Sequence, residues 1–373
     1  MDALMLPLNW QKVRLGDIGK PCMCKRVMKH QTTRYGEIPF YKIGTFGNTA
    51  DAFISKKLFL EYKTKYSFPK KGDILISASG TIGRAVIYDG KPAYFQDSNI
   101  VWIDNDETLV KNDFLFYAYS NVKWNTEHTT ILRLYNDNFR NTLIPLPPLN
   151  EQIVIANILS DLDRYLCALD ALILKKEGVK KALSFELLSQ RKRLKGFNQA
   201  WQRVRLGDVA NYLTSNLSAE QITQQGKIKV YDVNNFIGYT DTTFISDKPY
   251  ISIVKDGSVG RVRILPPKTN ILSTMGALIA NHRTTTEFLF YLLSNFDFKN
   301  FTSGSIIPHI YFKDYKEKTI FLPPLNEQIA IANILSDLDN EITSLKNKKR
   351  QFENIKKALN HNLMSAKIRV LKK

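Results

Sequence analysis

Along this chain the spacing of apolar positions changes in the same order twice. Short runs near residues 73–77 and 250–254 alternate or are continuously apolar and are bounded by Gly, Pro, Asn and Asp, which predicts strands. Within each strand-rich region one stretch, 113–120 or 287–294, switches to helical spacing. A longer periodic stretch then follows. Leu159, Leu162, Leu166, Leu169 and Ile173 alternate three- and four-residue steps, and Leu183 and Leu187 resume the stripe after Gly178. Leu335, Leu338, Ile342, Leu345, Phe352, Leu359 and Leu363 do the same, with Lys349 and Lys356 as polar interruptions. A spacing that averages 3.5 is the seam of a coiled coil. Each stretch runs about 40 residues, or roughly 60 Å of helix. Asn150 and Asn326, which follow Pro-Pro-Leu, are the predicted N-caps.

The recurrence extends to the letters. Residues 146–163 and 322–339 agree at 17 of 18 positions, the exception being Val154 against Ala330. The entries NWQKVRLGDIG (9–19) and AWQRVRLGDVA (200–210), the loops SGTIGRAVI (79–87) and DGSVGRVRI (256–264), and FLFYAYSN (114–121) against FLFYLLSN (288–295) keep the same order. Four collinear matches mean an internal duplication. The offset shrinks from 191 residues at the entry to 177 at the glycine loop, so the first copy holds extra chain between them.

Near-identity at the helix entry is read here as the mark of a pairing surface. If the first helix ends near Arg193, about six residues join it to the second globule at Trp201. Six residues span at most ~21 Å, too little to return along a parallel partner, so the helices should run antiparallel. The predicted fold class is α+β: two globular domains alternating with two long helices that pair as an antiparallel coiled coil, with an internal pseudo-two-fold. The expected boundaries are 1–149, 150–195, 196–325 and 326–373.

Composition narrows the class of partner. Lys and Arg number 53 against 35 Asp and Glu, a net +18, with 44% hydrophobic and 11% aromatic residues to fill cores. The excess is +6, +3, +4 and +5 over residues 1–150, 151–199, 200–326 and 327–373. The densest runs are 346–350 and the tail from 367. An excess in every segment suits a molecule laid along a polyanion such as a DNA duplex. Three cysteines (Cys22, Cys24, Cys167) are too few for a disulfide framework. With no 18-residue apolar run and no secretion leader, a cytoplasmic protein without a membrane span is expected.

The tools of an enzyme are missing. The five histidines are scattered, and Cys22-Met-Cys24 has no second pair to complete a zinc site. There is no Gly-x-x-x-x-Gly-Lys, Gly-x-Gly-x-x-Gly, Gly-x-Ser-x-Gly, Asn-Pro-Pro or Asp-Pro-Pro. No catalytic residue and no metal ligand is therefore assigned. The loops Gly80-Thr81-Ile82-Gly83-Arg84 and Gly257-Ser258-Val259-Gly260-Arg261 are the best local motif. Their glycines allow close approach, hydroxyls and free N–H groups suit phosphate oxygens, and the arginine adds charge or a base-edge fork. A plain hairpin turn with a solvated arginine fits them as well.

The duplication, the Leu-Pro-Pro-Leu-Asn-Glu-Gln-Ile strings and the Trp-x-x-Val-x-Leu-Gly-Asp entries together resemble the specificity subunit of bacterial type I restriction–modification enzymes. The resemblance covers almost the whole chain. It implies two target-recognition domains, each reading half of a bipartite double-stranded DNA site, and helices that set the spacing and dock two modification subunits. Those partners would bind S-adenosylmethionine and methylate adenine, and restriction subunits with ATP and Mg would complete the complex. No cofactor is implied for this chain, which would be non-catalytic. The alternatives are a self-sufficient DNA methyltransferase or nuclease, and a coiled-coil interaction protein that does not bind DNA. On this reading Lys42, Ser79, Thr81 and Arg84 are candidates for DNA contact in the first domain. Lys255, Ser258, Arg261, Ser305, His309 and Tyr311 are the candidates in the second. Leu159, Leu162, Leu166, Leu169, Ile173, Leu335, Leu338, Ile342, Leu345 and Phe352 are the expected helix-pairing positions.

Overall fold

The computed structural model describes residues 7, 9–128 and 132–370. Residues 371–373 of the basic tail lie outside them. The chain forms two compact units. One joins the chain up to Leu169 with everything from Lys348 onward, and the other is Asp170–Asn347. Each unit therefore holds one globule, the first half of one long helix and the second half of the other.

The first globule opens with Gln11–Arg14, which pairs antiparallel with its closing strand Leu143–Leu146. Pro147 and Pro148 follow, cannot donate to a ladder, and end the strand there. Between these ends lies a four-stranded antiparallel sheet in the order Gly19–Met23, Ile100–Asn105, Ile74–Ser77, Ala85–Ile87. A three-stranded sheet, Phe53–Ile54, Ile38–Tyr41, Tyr94–Phe95, contains one parallel pair. The helix Asn112–Tyr119 packs its apolar face, Phe114, Leu115 and Ala118, into a core shared with Leu15, Ile76, Ile103 and Leu159. Cys24 sits in the second core, where burial pushes its thiol up to about 12.

The second globule repeats this plan. Gln202–Arg205 pairs with Thr319–Leu322. The four-stranded sheet runs Ala210–Thr214, Met275–Ala280, Tyr250–Val254, Val262–Leu265, and the three-stranded one runs Phe236–Thr240, Ile228–Tyr231, Thr269–Ile271. Thr286–Ser294 is its packed helix. One helix of the first globule has no counterpart among the described residues of the second. It spans Lys56–Lys65, capped by the Ser55 hydroxyl accepting from the Leu58 amide 3.2 Å away. It accounts for most of the extra length of the first copy. The sequence analysis places one helix in each strand-rich region, at 113–120 or 287–294, and does not anticipate this one, whose ten residues carry a weak apolar face.

The long helices span Leu149–Leu188 and Leu325–Met364, 40 residues each. Both begin one residue before the expected cap. The Asn150 and Asn326 carboxamide oxygens accept the next residue's N–H at 2.9 Å rather than capping from outside. The first helix ends at Leu188, five residues short of Arg193. Gly178 does not interrupt it.

Pairing is antiparallel in each unit. In the first, Asp163 meets Lys356, and the Tyr165 and Phe352 rings lie 4.7 Å apart. In the second, Lys180 meets Asp339 at 2.5 Å and Glu177 meets Lys346 at 2.6 Å. The ten pairing positions are all buried or half-buried. The near-identical segments do not face each other, contrary to the reading of them as mutual partners. Each lies against the diverged second half of the opposite helix, as antiparallel pairing of equal helices requires. Something other than mutual fit has to explain their likeness.

Candidate nucleic-acid interface

Part of that explanation is the joint between helix and globule, built the same way twice. Gln152 donates to the Leu109 and Pro147 carbonyls at 3.0 and 2.9 Å and accepts the Lys111 amide at 2.9 Å. Gln328 donates to Arg283 and Pro323 at 3.0 and 2.8 Å and accepts the Thr285 amide at 3.1 Å. Both amides are buried and fully used, as burial demands. The adjacent carboxylates are buried too. Glu151 accepts Trp10 Nε1 at 3.1 Å and both Nε and a terminal nitrogen of Arg369 at 2.7 and 2.9 Å. Glu327 accepts Trp201 Nε1 at 3.0 Å and Arg193 at 3.1 and 2.6 Å. Each tryptophan of an entry motif is thus bonded to the glutamate of its closing string, and the arginine comes from the segment just past the other repeat's helix.

A second repeated joint lies further along. The Tyr117 hydroxyl donates to Asp163 at 2.8 Å and Tyr291 to Asp339 at 2.9 Å. Lys356 and Lys180 lie 5.6 Å from the respective ring centroids, each also paired to the same aspartate. Burial, then the aspartate, holds both phenols well above the ordinary tyrosine range, so they are donors at neutral pH. Sequence reading missed these residues as partners, although their recurrence in both copies was the available signal.

On this frame each globule presents three loops together. The glycine loop leaves strand Ile74–Ser77 or Tyr250–Val254 and turns through glycines with positive φ: +67° and +83° at Gly80 and Gly83, +84° and +81° at Gly257 and Gly260. A side chain at Gly83 would strike Trp124, and one at Gly260 would strike Phe298. A short hairpin docks on the loop. In the first unit it is Glu127–His128 with Leu132–Arg133; Arg133 bridges to Ser79, and Leu134 donates to the Ala78 carbonyl. In the second it is Thr302–Ser303 with His309–Ile310; His309 bridges to Asp256, and Gly257 donates to the Pro308 carbonyl. The third element is the turn after Ile38–Tyr41 or Ile228–Tyr231. Arg84 reaches its Gly47 carbonyl at 3.5 Å, and Arg261 reaches Asn234 Oδ1 at 2.9 Å.

The structure brings the candidates onto these loops unevenly. Thr81, Arg84, Ser258, Arg261, Ser305 and Tyr311 are exposed. Lys42 lies in the third turn, paired to Asp51 at 2.8 Å. Lys255 and His309 are half-buried, and His309 Nδ1 is 2.7 Å from Asp256. Ser79 is overturned as a contact: it is 5% exposed, and its hydroxyl is spent on Asn99 Oδ1 at 2.7 Å. The phosphate cradle of free amides is overturned in part as well. The N–H groups of Ile82 and Gly83, and of Val259 and Gly260, are committed to carbonyls of the loop and its preceding strand. Sequence reading also missed Asn234 and Arg263, the latter bonded to the Asn234 carbonyl at 2.9 Å and stacked 5.2 Å from the Tyr231 ring.

What recurs is a frame, and what differs is the side chains at its tips. The family described as the type I restriction modification DNA specificity domain matches the chain twice, over residues 7–176 and 198–354. The MjaVIII type I restriction enzyme specificity subunit of Methanocaldococcus jannaschii is 26% identical, covering 99% of this chain and 95% of that protein. A putative type I restriction enzyme specificity subunit of Haemophilus influenzae is 64% identical over 148 residues. That match covers 39% of this chain and only 38% of the relative. Among solved structures, the S subunit of a type I restriction-modification system from M. genitalium superposes with a TM-score of 0.65 at 20% identity, covering 97% and 98% of the two chains. A chain from work on complex assembly and conformational transition of the type I R-M system gives 0.59 at 16%, covering 96% and 98%. Likeness at these identities shows a common fold. With the family matched in both copies and the fold shared end to end, the chain belongs to the type I restriction–modification DNA specificity family.

Proposed function

We propose that this chain is the non-catalytic DNA-reading subunit of a type I restriction–modification complex, each unit reading one half of a bipartite duplex site. The observation that carries the reading is the contrast within the duplication. In both units a glycine loop with two positive-φ glycines carries a docked hairpin, bridged to it at the equivalent place, while the side chains there differ: Thr81 and Arg133 in one, Ser258 and His309 in the other. A solvent-facing turn needs no such pairing of a constant frame with changed tips; two readers of different sequences do. Phosphate contacts from Arg84, Arg261 and Lys42 would position the duplex, and base edges would be read from the hairpin.

Two modification subunits, supplying S-adenosylmethionine and methylating adenine, fit a second observation. Leu149, Ile153, Asn157 and Asp161 lie four residues apart on one exposed helix face, and Leu325, Ile329, Asn333 and Asp337 repeat them letter for letter. Solvent does not require an exposed stripe to stay identical, whereas two copies of one partner do. Restriction subunits with ATP and Mg would complete the assembly.

A segment exchange tests the reading. Replacing residues 11–145 with the equivalent segment of another member, in the assembled complex, should change one half of the methylated sequence and leave the other intact. Methylome sequencing reads the outcome. A change in both halves, or in neither, refutes the assignment of one half-site to each unit.

A further inference from the structure

The hairpin of the second unit carries a feature that charge and hydrogen bonding do not account for. Its tip is apolar and unshielded: Ile306 is 93% exposed and Ile307 55%. Among the described residues, no other large apolar side chain stands so far into solvent. The tip is built, not frayed. Gly304 has φ +90°, and a Cβ there would lie 2.3 Å from the Ile307 carbonyl oxygen. The backbone is therefore pinched between 304 and 307, and Ser305 and Ile306 are pushed outward. Behind the tip, Thr302 and Ser303 pair with Ile310 and His309. The base is tied to the glycine loop by Gly257 donating to Pro308, Ile310 donating to Lys255, and His309 bonding Asp256. Ser258 and Arg261 on that glycine loop, and Tyr311 and Lys313 just after the hairpin, are exposed polar and cationic groups.

A braced two-stranded ribbon with cationic flanks and an apolar point has a natural seat in the major groove, which is about 12 Å wide and admits such a ribbon. The apolar feature that groove offers is the thymine C5-methyl. We propose that Ile306 is a specificity-determining residue that packs on a thymine methyl in the half-site read by the second unit. This rests on the DNA-reading function proposed above. Ser305 and His309 beside it would then address neighbouring base edges or phosphates, which no isolated surface isoleucine would require.

The test uses the assembled complex and a duplex carrying its site as mapped by methylome sequencing. Each thymine of the second half-site is replaced in turn by deoxyuridine, which removes the methyl alone. At one position affinity should fall about four-fold, the equivalent of ~0.8 kcal/mol for one buried methyl. Ile306→Ala should weaken binding to the thymine duplex and abolish the difference between thymine and deoxyuridine there, a coupling that a merely structural role would not produce. A second half-site without thymine, a uridine penalty at no position, or a penalty unchanged in I306A overturns the assignment of Ile306. Failure of the complex to prefer the mapped duplex over a scrambled one would instead remove the DNA-reading function itself, and this proposal with it.

Discussion

Replacing Arg369 with Ala should open the first unit and leave the second closed. Glu151 is 1% exposed and accepts three hydrogen bonds, two of them from this guanidinium. Removing one partner of a buried ion pair costs about 3–5 kcal/mol, because the remaining carboxylate stays desolvated. Arg369 itself is 27% exposed, so water can reach the vacated space, and about 2–4 kcal/mol is expected. Arg193→Ala removes the same two bonds from Glu327 and should cost the second unit a similar amount. Hydrogen exchange followed by mass spectrometry separates the two effects: amides of residues 149–160 should lose protection in R369A, and those of 325–336 in R193A. Glu151→Met together with Arg369→Met should cost less than the sum of the single changes, since no unpaired charge is left. Losses below about 1 kcal/mol in both variants, or protection lost equally in both units, would refute these pairs as anchors.

Three further outcomes are expected. Gly178→Ala should raise stability by about 0.5–1 kcal/mol in a thermal melt, because the helix runs through this position and nothing lies within 4 Å of an added Cβ; a destabilised variant would mean the helix bends there in solution. Ile153→Asp should give complexes holding one modification subunit fewer by native mass spectrometry, Ile329→Asp likewise, and the double variant none; full complexes in every case would dismiss the repeated stripe as a dock. Tyr117 and Tyr291 have raised folded pKa values, so their contribution is complete below pH about 10 and is lost as pH climbs beyond it. Tyr291→Phe should cost about 1 kcal/mol at neutral pH and remove up to ~1.4 kcal/mol per pH unit from the alkaline slope in denaturant titrations; an unchanged slope would show that the phenol titrates alike in both states.

The parts of this molecule that were legible in its sequence are those governed by short-range periodicity. A stripe such as Leu335, Leu338, Ile342 repeats every turn or so, and its helix runs 40 residues in the structure. Strand Tyr250–Val254 was equally plain. The helix Lys56–Lys65 was not, since its stabilisation comes from Phe59 packing into a distant aromatic core. Long-range partnership was also hidden. Glu151 was read as one letter of a signature, but its donors sit 141 residues upstream and 218 downstream. Ser79 and Thr81 are two residues apart in one loop, yet the first faces Asn99 inside and the second faces solvent. Only the geometry of the neighbouring strand separates them.

The exchange of arginines between repeats bears on how the chain is made. Residues 170–347 must be synthesised between the two pieces of the first unit, and Arg369 follows them. At about 5–20 residues per second that interval lasts roughly 10–35 s. Throughout it the half-helix after Leu149 has no partner helix, and Glu151 is bonded at most to Trp10. Its own helix does not supply the missing donor, because Arg193 belongs to the second unit and is bonded there to Glu327. The first domain therefore waits on the translating ribosome with an uncovered leucine stripe and an uncompensated carboxylate. Its nascent form is the stage at which chaperone demand and mispairing with neighbouring copies should be greatest, and slowing translation after residue 200 should lower the yield of native protein more than slowing it before residue 150.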